Sequence, residues 1–215
     1  MTANISCPRT GPAAPGTLPA RHGAILRREA EELLGCAEIA AGLAEGLWVE
    51  PWHGVLVPET RQHDPLTRAA AALLRGGPYS LLSGPTAAAM HGCGAAAGDV
   101  LHVTVPYDRE LRSAPDLIVH QAWVRESDVV ELDGLRVQAL DVAIAELLCT
   151  GPQRLALACL EQALAQLDDT SEHFRARVAE RLARRRDRRG TRQAAALLEL
   201  AWSRPPDELV AGGAR

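Results

Sequence analysis

The 215-residue chain contains no lysine, and all 23 of its basic residues are arginine. That absence excludes several chemistries. No P-loop lysine can reach a nucleotide phosphate. No Schiff base can form with a carbonyl or pyridoxal group. The kinase strand lysine and the lysine of a Ser-x-x-Lys acylase are missing too. Cation contacts fall to guanidinium groups, whose planar fork suits phosphate and carboxylate. Aromatics are scarce, with four Trp, two Tyr and one Phe. Together with the abundance of Ala, Arg and Gly, this scarcity reflects the coding bias of a high-GC genome.

Five cysteines are present (Cys7, Cys36, Cys93, Cys149, Cys159), an odd number with no Cys-x-x-Cys spacing. This argues against a disulfide scaffold and a zinc ribbon. No apolar run approaches the ~18 residues of a membrane span. The first twenty residues lack the apolar stretch of a signal peptide. These absences predict a reduced cytoplasmic protein with no membrane, metal or cofactor. With 47% hydrophobic and 23% charged residues, the chain suffices for one domain or two small ones.

The patterning predicts an α+β protein. Residues 1–20 and 204–215 read as tails rich in Pro, Gly and Ala. Leu26, Ala30, Leu33 and Leu34 share one face of a first helix, and Ile39, Ala40 and Leu43 one face of a second. The runs around Pro51-Trp52-His53-Gly54 then read as a hairpin. Helix, Gly, helix, Gly, hairpin outlines a winged helix-turn-helix over 21–60. Residues 61–150 read as a small mixed α/β domain, with Asp133-Gly134 as the strongest hairpin signal. Residues 151–203 read as C-terminal helices.

The charge is uneven. Residues 175–192 carry nine arginines against Glu180 and Asp187, a net +7, which leaves −11 for the rest of a chain whose total is −4. On a helix, Arg177, Arg181, Arg184, Arg185 and Arg188 fall on one side. That side is either a phosphate-binding face for nucleic acid or a solvated face paired with the acidic remainder.

Other candidates are weaker. Trp48 and Trp52 are core residues or stacking residues. His53 is a turn residue. His91, Cys93, His102 and His120 form neither a nucleophile pair with an orienting group nor a metal site with three ligands. Asp64, Asp99, Asp108, Asp116 and Asp128 show no motif spacing. Ser83 and Thr86 read as helix-start residues. No catalytic residue is assigned.

Several stretches, in order, resemble the AbiEi-type antitoxin family of type IV toxin–antitoxin systems. Gly23-Ala24-Ile25-Leu26-Arg27-Arg28-Glu29-Ala30 is similar to the start of that family's first helix. Trp52-His53-Gly54-Val55-Leu56-Val57 resembles its wing strand. Ser83-Gly84-Pro85-Thr86-Ala87-Ala88-Ala89-Met90-His91-Gly92 resembles its Ser-x-x-Ser-Ala-Ala helix. Leu101-His102-Val103-Thr104-Val105-Pro106 resembles its strand ending in Val-Pro. Asp128-Val129-Val130, Gly134-Leu135-Arg136-Val137 and Ala139-Leu140-Asp141-Val142-Ala143 are similar to its hairpin and next helix.

The resemblance spans about residues 22–200. It implies a DNA-binding winged helix that represses its own operon, and a C-terminal region that counters a nucleotidyltransferase-like toxin encoded nearby. A non-enzymatic antitoxin and transcriptional regulator is the function it implies, with DNA as partner and a homodimer as an option. In the family an antitoxin of this kind is often the front half of a protein with a Vsr-like nuclease. Pro205-Pro206-Asp207-Glu208-Leu209 resembles that junction, so the alternative is an accessory half acting as a protein or nucleic-acid docking module.

The residues depart from the family at the recognition helix. Cys36 to Glu45 offers Glu38 and Glu45 and no cation, where a groove-reading helix needs Arg, Lys, Asn or Gln. The nearby cations are Arg21, Arg27 and Arg28. The winged helix is thus a degraded reader or a protein-docking module. The nucleic-acid candidates are Arg21, Arg27, Arg28, Arg177, Arg181, Arg184, Arg185 and Arg188.

Overall fold

A computed structural model describes residues 21–167 and 170–202. The expected tails at 1–20 and 204–215 lie outside the described residues. The protein is α+β, as the patterning predicts, and divides into two compact units, 1–78 and 79–215.

The first unit opens on β1 (Ile25–Leu26), α1 (Arg27–Leu34) and α2 (Cys36–Ala44). The hairpin β2 (Trp48–Trp52) and β3 (Val55–Pro58) and helix α3 (Pro65–Gly76) follow. The sheet order is β1-β3-β2, all antiparallel. Two helices between the first strand and a hairpin that closes on that strand is the winged helix-turn-helix order.

The core of this unit is Ile25, Ala30, Ile39, Trp48 and Leu56. Two helix-face expectations are corrected. Leu33 and Ala40 are exposed. Ile25 and Leu26 leave the helix to pair with Leu56 and Val55, which rotates α1 away from the predicted stripe. Gly42 takes the inward position, because a Cβ there would lie 2.7 Å from Trp48 Cδ1. Trp48 and Trp52 are both buried, which settles them as packing residues.

Helix α3 starts at Pro65 with Asp64 as N-cap, whose carboxylate accepts from Leu66 N. Its buried face, Ala69–Leu73, packs on β3 and β1. The first unit therefore extends to Pro78 rather than stopping at residue 60.

The second unit holds a mixed sheet of order β6-β5-β4-β8-β7. Its strands are β4 (Leu81–Leu82), β5 (Leu101–Val105), β6 (Leu117–Gln121), β7 (Val129–Leu132) and β8 (Leu135–Gln138). Asp133 and Gly134 both have positive φ, 51° and 72°, as a two-residue hairpin requires. Leu82, Val103 and Val137 lie side by side across β4, β5 and β8 and are fully buried.

Helices α4 (Gly84–Met90), α5 (Leu140–Thr150), α6 (Gln153–Leu167), α7 (Ser171–Arg184) and α8 (Thr191–Trp202) complete it. One core joins them, from Ala88 and Ile144 through Leu160 and Phe174 to Leu198. The C-terminal helices therefore share a unit with residues 79–150 and are not a separate domain.

Gly190 sets the seam between α5 and α8. Its φ is +71°, and a Cβ there would sit 1.9 Å from the Cys149 carbonyl oxygen. That atom is backbone and cannot swing away. Gly190→Ala combines this overlap with a left-handed conformation that costs a Cβ about 1–2 kcal/mol. The expected loss is at least about 3 kcal/mol, read as a lower urea midpoint in equilibrium unfolding. An unchanged midpoint would show that α8 does not dock there.

Candidate nucleic-acid interface

In the first unit, Arg27 is spoken for. Its guanidinium donates to Glu31 at 2.8 Å and to Glu50 at 2.9 Å. The hydrogen bonds it donates to Glu31 and Glu50 hold its pKa above the ordinary arginine value against the effect of burial. Glu50 also accepts from Gly54 N at 2.6 Å, which braces the wing turn. Burial opposes the Glu50 charge, but Gly54 N–H and Arg27 outweigh it and hold the carboxyl below its usual range. His53 stands at that turn almost fully exposed. Arg27 thus ties the wing to α1 rather than facing a phosphate. Arg21 and Arg28 are exposed, and α2 presents Glu38 and no cation.

In the second unit, the arginines separate into two groups. Arg181 on α7 donates through Nη1 to Asp128 at 2.6 Å and through Nε to Asp141 at 3.1 Å. Asp141 lies in the first turn of α5, where the helix dipole favours an anion, and its side chain is 6% exposed. Burial works against the Arg181 charge, yet its two carboxylate partners raise its pKa overall. Arg177 approaches Asp141 at 3.6 Å. Arg184 pairs with Glu180 at 2.5 Å, and Arg175 with Glu199 at 2.8 Å. Arg175, Arg177 and Arg181 tie α7 to its neighbours and Arg184 is matched along its own helix, so they do not form an empty cationic face.

Helix α7 ends at Arg184, so Arg185 and Arg188 are not on it, contrary to the helical-face expectation. They lie in the connection to α8 with Arg186 and Arg189, and Arg192 follows in the first turn of α8. Asp187 is spent locally: its carboxylate accepts from Arg189 N at 3.0 Å. Arg186, Arg188, Arg189 and Arg192 are exposed, and no ion pair involves them among the described residues. Arg186, Arg189 and Arg192 were not singled out by helical spacing, which misses residues gathered by a turn.

Two adjoining hollows lie against this unit. One, of about 460 Å³, is bordered by Arg125, Arg177, Arg184 and Arg185. The other, of about 420 Å³, is bordered by Thr104, His120 and Trp123. Both touch Val142 and Glu146. Parallel pairing of β5 and β6 brings His102 and His120 together, with Nδ1 3.1 Å from Nε2 and rings stacked at 5.3 Å. Burial, and then His120, push His102 below the usual histidine value, while Glu146 pulls the other way. Among the described residues, no group of three His, Cys, Asp or Glu converges on a metal position.

The remaining sequence candidates have structural tasks. Thr86 Oγ1 accepts from His102 N at 2.8 Å and ties α4 to β5. Ser83 occupies the N-cap of α4, but its hydroxyl makes no cap bond. His91 pairs with the Gln138 carbonyl at 2.9 Å. Burial pushes the Cys93 thiol to about 11 and the Cys159 thiol to about 12, so neither is a nucleophile at neutral pH. No described helix is long and apolar enough to cross a membrane.

No protein-family model matches the chain, and no curated protein matches it in sequence. Among solved structures, the fold is similar to that of the RV2827C protein from Mycobacterium tuberculosis. The TM-score is 0.58 at 17% identity, over 90% of this chain and 75% of that one. A likeness at that identity shows a shared fold.

Arg181→Ala leaves Asp141 buried beside Arg177 alone. The expected cost is about 2 kcal/mol, below the ~3–5 of a fully enclosed pair because Arg181 is a third exposed. Denaturant unfolding measures it, and a loss under about 0.5 kcal/mol would show the pairing to be ornamental.

His102 predicts a pH effect. Its folded pKa lies below the unfolded value of about 6.5, so its contribution is complete above that pH and fades as pH falls through it. Thermal melts between about pH 7 and 5 should fall for the wild type and fall less for His102→Gln. Parallel slopes would contradict this assignment.

Proposed function

We propose that the chain is a non-enzymatic, DNA-binding regulator of the AbiEi antitoxin type. It binds duplex DNA chiefly through the arginine connection between α7 and α8. The observation that carries this reading is the set Arg186, Arg188, Arg189 and Arg192, four exposed guanidinium groups without carboxylate partners among the described residues. Phosphate contacts from arginine supply most sequence-independent affinity for DNA. The winged-helix order of the first unit supports the same class. Its recognition helix, however, carries Glu38 and no cation.

Arg21 and Arg28 therefore act as auxiliary contacts, and Arg27, Arg177, Arg181 and Arg184 act as structural cations. Arg188 is one of the set of four, and Arg185, which borders the hollow of about 460 Å³, is left out of the duplex contact. The partners that fit this reading are the DNA upstream of its own coding sequence and a nucleotidyltransferase-like toxin encoded nearby. It acts in the cytoplasm.

A mobility-shift titration on that upstream duplex tests the reading. The unmodified chain should shift it. Alanine at Arg186, Arg188, Arg189 and Arg192 together should weaken binding more than about tenfold and flatten the log–log salt slope by about three. Alanine at Arg21 and Arg28 should cost less. No shift at all would overturn the regulator reading. A larger loss from the Arg21/Arg28 variant would return the DNA to the winged helix.

A further inference from the structure

The chain has seven aromatic residues, and three of them sit largely exposed in the second unit: Tyr79 (68%), Tyr107 (66%) and Trp123 (83%). Their positions follow from strand register. Leu81 pairs with Thr104 and Val105 with Gln121. Tyr79 therefore precedes β4 at the end of the sheet where β5 and β6 finish. Tyr107 and Trp123 each lie two residues past a paired position, and Ala122 N still bonds to Val105 O at 3.2 Å between them. One end of the sheet thus gathers three exposed rings. Exposed rings gathered at one place, unlike rings scattered singly, mark a candidate binding surface.

The surroundings name the occupant. Trp123 borders the hollow of about 420 Å³, a size that suits a small planar group. Glu146 lies at its junction with the arginine-bordered hollow. One Glu146 oxygen accepts from Gln138 Nε2 at 3.0 Å, and no donor reaches the other among the described residues. Arg125, two residues beyond Trp123, and Arg185 border the hollow of about 460 Å³; neither is in an ion pair among the described residues, and Arg185 donates only its Nε, to the Asp187 carbonyl at 3.4 Å. Rings, one open carboxylate oxygen and guanidinium groups without carboxylate partners match a base, its amino edge and its phosphates.

We propose that this end of the sheet binds single-stranded nucleic acid, with an unpaired base stacked on Trp123, its amino group at Glu146 and its phosphates at Arg125 and Arg185. A duplex cannot use the site, since its bases are stacked on one another and its amino edges are paired. A carboxylate accepts from the cytosine amine and has no donor for thymine O4. The site therefore prefers cytosine to thymine. It is independent of the duplex contact proposed above, which uses Arg186, Arg188, Arg189 and Arg192.

Fluorescence anisotropy of the full chain with labelled oligo(dC), oligo(rC) and oligo(dT) tests it, with the upstream duplex measured in parallel. Oligo(dC) should bind more tightly than oligo(dT). Trp123→Ala should weaken oligo(dC) binding at least about fivefold and leave the duplex titration unchanged, and Trp123→Phe should retain most of the affinity. Glu146→Gln should level the two pyrimidines. Oligo(rC) binding equal to or tighter than oligo(dC) identifies RNA as the source of the strand, and weaker binding identifies DNA; both support the site. Unaltered oligo(dC) affinity in Trp123→Ala, tighter binding of oligo(dT), or no binding of any oligonucleotide would overturn the proposal, the last leaving the rings to a protein partner. Trp123 is exposed, so its variants should melt with the wild type. Duplex failure with intact oligo(dC) binding would sink the regulator reading alone.

Discussion

The second unit depends on one buried charge. Asp141 sits in the first turn of α5, inside the seam where α7 crosses, almost wholly removed from water. An anion there is tolerable only with a cation in hydrogen-bonding geometry. Arg181 supplies it and reaches Asp128 with its other nitrogen. The guanidinium fork suits this double contact, which a lysine ammonium would make only as a point charge. Three segments, ahead of β7, at the start of α5 and in the last turn of α7, are pinned at one point.

That pin sorts the arginines. Those that face α5 and α8 are consumed by Asp141, Asp128 and Glu199, and Arg184, exposed, pairs with Glu180 along the helix itself. The helix then ends, and the next four arginines leave its face for a turn that approaches Gly190. There Gly190 must pass against the Cys149 carbonyl, which fixes the place where the connection emerges. The cationic surface is thus a product of packing: backbone contact decides which guanidinium groups remain for a polyanion.

Much of the fold was legible in the residues. The Asp133-Gly134 hairpin and the Trp48–Pro58 hairpin each carry a local signal stronger than their surroundings. The failures share a cause. Leu26 reads as helix because its spacing fits, and only β3, about thirty residues on, makes it a strand. The end of the first unit was misplaced because an alanine-rich helix shows no sign of which sheet it covers. At the candidate site, helical spacing grouped Arg177, Arg181, Arg184, Arg185 and Arg188, but spacing cannot register Asp141, which lies forty positions from Arg181 and captures it. Trp123 gave no periodic signal at all.

Scarcity is what makes the exposed rings informative. In a chain of average composition, one surface tryptophan is unremarkable. Here the core is built largely from alanine, leucine and valine, and of the described aromatics only Trp48, Trp52 and Phe174 are buried. A chain so poor in large side chains would gain stability by burying the others. Tyr79, Tyr107 and Trp123 instead stand at strand ends, where backbone register rather than packing sets their positions. The same holds for the unpaired arginines: both groups lie where the fold has no structural use for them. Trp123 and the guanidinium groups of Arg125 and Arg185 border adjoining hollows, and that combination complements a strand that alternates rings with phosphates.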